Sequence, residues 1–396
     1  MNPNLTVSEL LAQPEDRQSS GGYVHTLREI LQQPSTWLDT CNRVLASAPA
    51  IERLADGIAC LALTGSGSSL YAGECVQLAL QKECGVTVEA IGAGTLLTHG
   101  VAALPFGRPG LFISMARSGD SPESVAAVSL VIDAEPRMRH LAITCNQAGR
   151  LYTTYRDDPR VQVILLDDRT NDRSLAMTSS LTNMSLAARF LGLRRAPDRY
   201  RLLCERLSDA CGGLLAGGLD PLARVAATGF GRAVFLGSGS RLGAAREAAL
   251  KMLEMTDGRV PTLSETYLGV RHGPMSFIHG DTLVVCFLSS DPLLRAYESD
   301  LLRELDRKRL GLMKVVVGEH VPAALLRAGD TAIECPGLEE IGDRNAPLID
   351  VVVGQLLAFF RCLAEGLRPD SPCESGNINR VVERFPLHEA AGRGQP

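Results

Sequence analysis

A short apolar run that ends in Gly-Ser-Gly-Ser and opens into a helix-forming stretch occurs twice in this chain. Leu61 to Thr64 leads into Gly65-Ser66-Gly67-Ser68, and Ala233 to Leu236 leads into Gly237-Ser238-Gly239-Ser240. Repetition of a strand, small-residue loop and helix predicts a duplicated α/β unit, a pseudo-symmetric pair of subdomains. Such a loop exposes backbone N–H groups at a helix N-terminus and adds hydroxyl donors, which is how a fold builds an anion site. A tight structural turn is the other reading. The loop is not a dinucleotide fingerprint: the third glycine is absent, and no ribose-binding acid follows in the required strand context.

Further strands are expected at Val86–Ile91, Leu111–Met115, His140–Cys145 and Val161–Leu166, and in the second half at Thr282–Leu288, Lys314–Val317 and Ala332–Glu334. The run Ile58–Thr64 is apolar throughout and suits a parallel strand covered on both faces. After Leu111–Met115 comes a second polar loop, Ala116 to Ser124, with Ser121 as helix cap and Pro122 in the first turn. Two hydroxyl-rich loops after two strands of one unit emerge together at the carboxyl edge of a parallel sheet, where open α/β folds bind ligands. Ser118 and Ser121 are candidate phosphate donors, joined by Ser68 and Ser69 of the first loop, and Arg117 adds charge or pairs at the surface. The hydroxyl run Thr178-Ser179-Ser180 either completes this pocket, with Ser179 as a donor, or caps a helix.

On the helix after the second Gly-Ser loop, Glu247, Lys251 and Glu254 stand at i, i+4 and i+7 and share one face. The row is either a solvated edge or a set of proton-transfer groups in a polar cleft. His272, held at a turn before Gly273-Pro274, is suited to acid–base work near neutral pH or is a surface histidine.

The length of 396 residues favours two or three domains, and 45% hydrophobic with 21% charged residues is ordinary for a globular protein with a large core. A net charge of −5 leaves no basic excess for nucleic acid or an anionic membrane. The 11 cysteines lack metal-ligand spacing and read as core thiols of a reducing compartment. The opening MNPNLTVSELLAQPEDRQS has no basic leader before an apolar core, and the apolar stretches fall short of a membrane span, so the expectation is a cytoplasmic protein. Two helices are expected from Gly22 onward, broken at Pro34, with Trp37 in a core or interface. His25, Glu29, Gln32 and Gln33 are polar residues placed to face a neighbouring subunit. The polar stretch Leu367–Arg384 reads as an active-site lid or a surface wrap, and the closing AAGRGQP as mobile.

These stretches together resemble the sugar isomerase (SIS) domain family: HTLREILQQPSTW from His25, TGSGSSLYAGE from Thr64, ARSGDSPES from Ala116, TCNQAG from Thr144, AMTSS from Ala176, LGVRHGP from Leu268 and NINRVV from Asn377. The narrower resemblance is to the AgaS group, described as galactosamine-6-phosphate deaminases or tagatose-6-phosphate ketose/aldose isomerases; the isomerase part of glucosamine-6-phosphate synthase is more distant. The resemblance covers nearly the whole chain. It implies two tandem SIS domains in an α/β fold, each a three-layer, flavodoxin-like sandwich about a parallel sheet: a helical segment at 1–48, SIS domains at 49–200 and 201–368, and a tail at 369–396.

The resemblance also assigns roles. Ser69, Arg117, Ser118 and Ser121 match the phosphate cradle, Glu254 the base that moves a proton between C1 and C2, and Lys251 a lysine near the substrate hydroxyls. His272 matches the ring-opening histidine that reaches in from a partner subunit, which implies a homodimer or larger homo-oligomer. Ala116 stands where the synthase carries a phosphate-binding serine. The synthase's catalytic tail lysine has no counterpart; Arg380 and His388 are the basic residues nearby. No glutamine-hydrolysing domain is present, which leaves deamination of an aminosugar phosphate or plain ketose/aldose isomerisation. Neither demands a metal or redox cofactor. A non-enzymatic phosphosugar sensor is the rival class, but such a protein has no need of the Glu254 and His272 pair.

Overall fold

A computed structural model of the chain describes residues 7–388 apart from Phe106, so the expectation for AAGRGQP lies outside the described residues. Two five-stranded parallel sheets organise it. The first is built from β1 (Cys60–Gly65), β2 (Thr87–Gly92), β3 (Gly110–Ala116), β4 (Met138–Thr144) and β5 (Val161–Leu165), in the order β2-β1-β3-β4-β5. The second is built from β6 (Arg232–Leu236), β7 (Thr262–Glu265), β8 (Thr282–Phe287), β9 (Met313–Gly318) and β10 (Thr331–Glu334), in the order β7-β6-β8-β9-β10. The two orders are the same, so the duplication heard in the Gly-Ser loops extends to the whole sheet. Every strand pair is parallel. β1, β3, β8 and β9 are buried along their whole length, as strands covered by helices on both faces must be.

The helices that shape the site are α1 (Val24–Leu31), α2 (Gln33–Ala46), α3 (Ser68–Cys84), α4 (Pro122–Ala134), α5 (Ser179–Leu193), α6 (Pro197–Gly217), α7 (Arg241–Met255), α8 (Pro292–Lys308) and α9 (Pro347–Ala364). Strand side chains alternate between cores with period two. Leu61 and Leu63 of β1 and Ala233 and Phe235 of β6 belong to one continuous core shared by both halves. Cys60 and Ala62 join a separate cluster on the outer face of the first sheet, and Val234 and Leu236 its counterpart on the second.

The shared core closes around α3 and α7, the two helices that follow the Gly-Ser loops. They approach to backbone contact: a Cβ on Gly243 would lie 2.7 Å from the Cys75 nitrogen. On its other side α7 meets α9, where a Cβ on Gly354 would lie 2.5 Å from Ala248 Cβ. The expectation that every apolar stretch falls short of a membrane span is corrected at α9, which is long and apolar enough to cross one; 89% of it is buried inside the fold, as a central core helix.

Two further expectations are corrected, and one strand is added. Glu29 and Gln33 do not face outward: both are buried, Glu29 against residues 173–174 and Gln33 in a hydrogen bond to Gln355 at 2.8 Å. β7 was missed because it is a four-residue, half-buried edge strand. Ser121 occupies the N-cap position of α4 but does not cap it, since its hydroxyl pairs with Ser124 Oγ at 2.6 Å. Trp37 is fully buried and donates to Thr182 Oγ1 at 3.0 Å.

Candidate active site

A cavity of about 790 Å³ opens at the carboxyl ends of β1 and β3, where the two hydroxyl-rich loops meet. The first loop turns so tightly that a Cβ on Gly65 would stand 2.6 Å from the Ser69 carbonyl carbon. Gly67 has φ +55°, a conformation that favours glycine. Ser68 and Ser69 then fall in the first turn of α3, almost buried yet on the cavity wall.

The second loop carries Ser118, Ser121 and Ser124 to the same wall. The turn Thr144–Gly149 buttresses it from behind. Asn146 Nδ2 donates to the Ser118 carbonyl at 3.0 Å, Leu151 N–H to the Gly119 carbonyl at 3.0 Å, and Arg150 N–H to Asp120 Oδ1 at 3.0 Å.

Arg117 begins the second loop and is nearly buried. It donates to the carbonyls of Ser174 (3.2 Å) and Leu175 (3.1 Å), and to the carbonyl of Arg380. Burial pulls its pKa below the usual arginine value, opposed by Asp172. Arg380 belongs to the tail, whose residues 376–383 line the cavity. Its own guanidinium donates to the Asp172 carbonyl and to Asn171 Oδ1, both at 2.7 Å. The root of the tail is pinned by Asp370, which accepts from Thr26 N–H and Thr26 Oγ1 at 2.7 Å each.

Opposite these loops lies the end of α7. Glu254 lines the cavity, with 23% of its side chain exposed, and accepts from the fully buried Lys251 ammonium. On the far side of Lys251, Glu247 Oε1 stands 3.4 Å away and is also fully buried. Neither Glu247 oxygen has a donor in good hydrogen-bond geometry. Burial pushes the Glu247 carboxyl up to about 8, against the pull of Lys251. Lys251 is held above its ordinary value: burial lowers it, and the two carboxylates outweigh that.

The second half carries the same loop geometry, and a cavity of about 710 Å³ opens there too, lined by Ser238, Gly239, Ser240, Ser290 and Asp343. Gly237 turns as tightly as Gly65, and Gly239, at φ +57°, repeats Gly67. Arg241 stands at the position equivalent to Ser69, buried and paired with Asp350 at 2.6 Å. At the loop equivalent to 116–121, Ser289 Oγ and Ser290 N–H donate to the carboxylate of Asp343. In this second cavity the chain's own Asp343 carboxylate takes up loop donors.

The fold therefore gathers Ser68, Ser69, Arg117, Ser118, Ser121, Glu254 and Arg380 around one cavity, with Lys251 directly behind Glu254. Ser179 is not brought there. It is fully buried at the start of α5, where Asp172 accepts from its hydroxyl at 2.6 Å and from Thr178 N–H and Ser180 N–H at 2.7 and 3.0 Å. The hydroxyl run caps a helix through a carboxylate. His272 ends a 3₁₀ turn on the exterior, outside the lining of this chain's cavity, and His388 is exposed in the tail. Sequence reasoning missed Glu29 and Asp172, whose partners lie far away in the chain or in an irregular loop. Among the described residues, no three His, Cys, Asp or Glu side chains are grouped as a metal ion would need.

No family model matches the chain. A protein of Streptomyces coelicolor that bears the AgaS name is 39% identical over 374 residues, 92% of this chain and 95% of that protein. The D-galactosamine-6-phosphate deaminase AgaS of Escherichia coli O157:H7 is 35% identical over 377 residues, again 92% and 95%. The crystal structure of tagatose-6-phosphate ketose/aldose isomerase from Escherichia coli superposes with a TM-score of 0.84 at 31% identity, covering 93% of this chain and 97% of that one.

Proposed function

Since the chain belongs to the AgaS family of sugar-phosphate enzymes, we propose that it is a D-galactosamine-6-phosphate deaminase, which releases ammonia and leaves D-tagatofuranose 6-phosphate. The observation that carries this reading is the placement of Glu254, backed by a buried ammonium, across one cavity from the Ser118, Ser121 and Arg117 loop. A carboxylate facing an anion cradle is what proton transfer on a phosphosugar requires.

In this reading the phosphate sits among Ser69, Ser118, Ser121 and Arg117, with Ser68 at the mouth of the first loop. The cradle holds C6 at one end, so C1 and C2 of the open chain fall toward α7. Glu254 removes the C2 proton of the aldehyde form and returns it to C1, giving a C2 imine. Water adds to that imine and ammonia leaves, so one water is consumed for each ammonia and ketose phosphate formed. Lys251, fully buried directly behind Glu254, holds that carboxylate in place by donating to it. His272, exposed on its own chain, acts in ring opening at the cavity of a neighbouring subunit, so the working unit is at least a homodimer of two-domain chains divided near residues 49–200 and 201–368. The tail supplies Arg380 as part of the cavity wall.

A second reading, plain ketose/aldose isomerisation, is favoured by the likeness to the Escherichia coli isomerase structure. It uses the same proton shuttle without hydrolysis. Ammonia release from galactosamine 6-phosphate and glucosamine 6-phosphate, with the ketose phosphate followed in parallel, separates the two. Stoichiometric ammonia from the galacto sugar is the expected result. Interconversion of tagatose 6-phosphate with galactose 6-phosphate, without ammonia from either aminosugar, would replace deaminase with isomerase.

A further inference from the structure

The irregular segment 171–178 carries the backbone carbonyls that hold both arginines of the cavity. Ser174 and Leu175 accept from Arg117, and Asn171 and Asp172 accept from Arg380. Carbonyls can aim a guanidinium only if the segment that bears them is itself fixed. This segment lies between the short 3₁₀ turn Asp168–Thr170 and α5 and belongs to no helix or strand, so its regular hydrogen bonding is sparse. Side chains fix it instead. Asp172 folds the downstream end onto the start of α5. The upstream partner is Glu29 of α1, 5% exposed, which accepts from the Arg173 and Ser174 N–H groups and from Ser174 Oγ.

Glu29 touches neither arginine. Its bonded route to Arg117 runs through one residue: the carboxylate holds Ser174 N–H and hydroxyl, and the Ser174 carbonyl accepts from Arg117; its charge also acts on the guanidinium through space, less than that of Asp172. Three of the five guanidinium donors of Arg117 are committed to carbonyls, which leaves two for a ligand. The direction of those two depends on where the carbonyls stand.

We infer that Glu29 is a positioning residue of the phosphate cradle, acting through the Ser174 backbone to aim Arg117 at a phosphoryl group. The inference rests on the phosphosugar reading above and adds to it a residue from a helix outside both sheets.

The test measures binding of tagatose 6-phosphate by calorimetry to the full chain, its Glu29→Ala, Glu29→Gln and Arg117→Ala variants, and the Glu29→Ala/Arg117→Ala double variant. Glu29→Ala is expected to weaken binding roughly 10-fold, the scale of one charge-assisted hydrogen bond. Glu29→Gln, which keeps one acceptor oxygen, should fall between it and the parent. The decisive readout is coupling: with Arg117 gone, loss of Glu29 should cost almost nothing more. A purely structural glutamate would give additive losses, or unchanged affinity with a lower melting temperature, and either result overturns the inference. If Glu29→Ala fails to fold, Ser174→Ala breaks the same link at the hydroxyl and is held to the same coupling criterion. Absence of hexose-phosphate binding by the unaltered chain would instead sink the phosphosugar reading, and the inference with it.

Discussion

Arg117 and Arg380 stand 263 residues apart in the chain, and the guanidinium of the first donates to the backbone carbonyl of the second. The Arg380 side chain, meanwhile, is tied to Asn171 and Asp172. The tail thus crosses the cavity as a strap fastened on the segment that aims Arg117. Of the two expectations for this stretch, lid or surface wrap, the geometry favours the lid. Arg380→Ala removes the side-chain half of the fastening, to Asn171 and Asp172, and KM for the aminosugar phosphate is expected to rise roughly 10-fold with a smaller change in kcat. An unchanged KM would return the tail to the role of a wrap.

Glu254→Gln keeps the shape of the site and removes the base. A positioned general base contributes about 10²–10⁴-fold, so kcat should fall by that order while binding of tagatose 6-phosphate stays within about threefold of the parent. Isotope exchange at C1 in deuterated water follows the same step directly and should vanish with turnover. A variant that still exchanges and turns over would remove Glu254 from its proposed role.

Ser118 and Ser179 test whether burial separates a binding hydroxyl from a structural one. Ser118 is on the cavity wall, whereas Ser179 is sealed against Asp172. Ser118→Ala should raise KM with little change in melting temperature. Ser179→Ala leaves a buried carboxylate short of a donor and should cost about 1–3 kcal/mol of stability, with kcat/KM of the folded protein unchanged. Thermal unfolding and steady-state kinetics on the two variants, run together, give the contrast.

Much of the frame was legible because it rests on local pattern. Apolar runs mark the buried parallel strands, and the i, i+4, i+7 spacing put Glu247, Lys251 and Glu254 in one row. Repetition of GSGS foretold two sheets of one order. What stayed hidden depends on distant partners. Nothing near Glu29 or Asp172 marks them as internal carboxylates, because their donors come from another helix or an irregular loop. Nothing in Asn377–Val382 shows periodicity, because a strap held by carbonyls and one arginine needs none. The hydroxyls 178–180 look the same whether they face a ligand or an aspartate; only the fold distinguishes them.

The buried Glu247 sets a pH dependence of stability. Its carboxyl is raised to about 8 in the folded chain, mainly by burial, from an ordinary value of 4.5. Between these two values the folded state keeps a proton that the unfolded state has released, so stability falls as pH rises through that window. Glu29 and Glu298, both raised to about 7 by burial, act with the same sign. Glu247→Gln removes its share. The variant's melting temperature should gain on that of the parent as pH is taken from 5 to 8. A difference independent of pH would mean that Glu247 is ionised throughout, paired with Lys251.

His272 lies outside its own chain's cavity, so its proposed part in ring opening calls for a second subunit. Mixed oligomers test this without a structure of the assembly. Glu254→Gln and His272→Ala are each expected to be nearly inactive alone. When they are unfolded together and refolded as a statistical mixture of dimers, half of the dimers are mixed. In each mixed dimer one cavity combines an intact Glu254 with the intact His272 of the other chain. Activity should then return to about one site in four of the unaltered enzyme. If His272 served its own cavity, one chain of each mixed dimer would still lack its base and the other its histidine, and no activity would return. Recovery near a quarter therefore supports both the dimer and the exchange of histidines across it, whereas no recovery confines His272 to its own chain, and a His272→Ala variant active by itself removes it from the reaction.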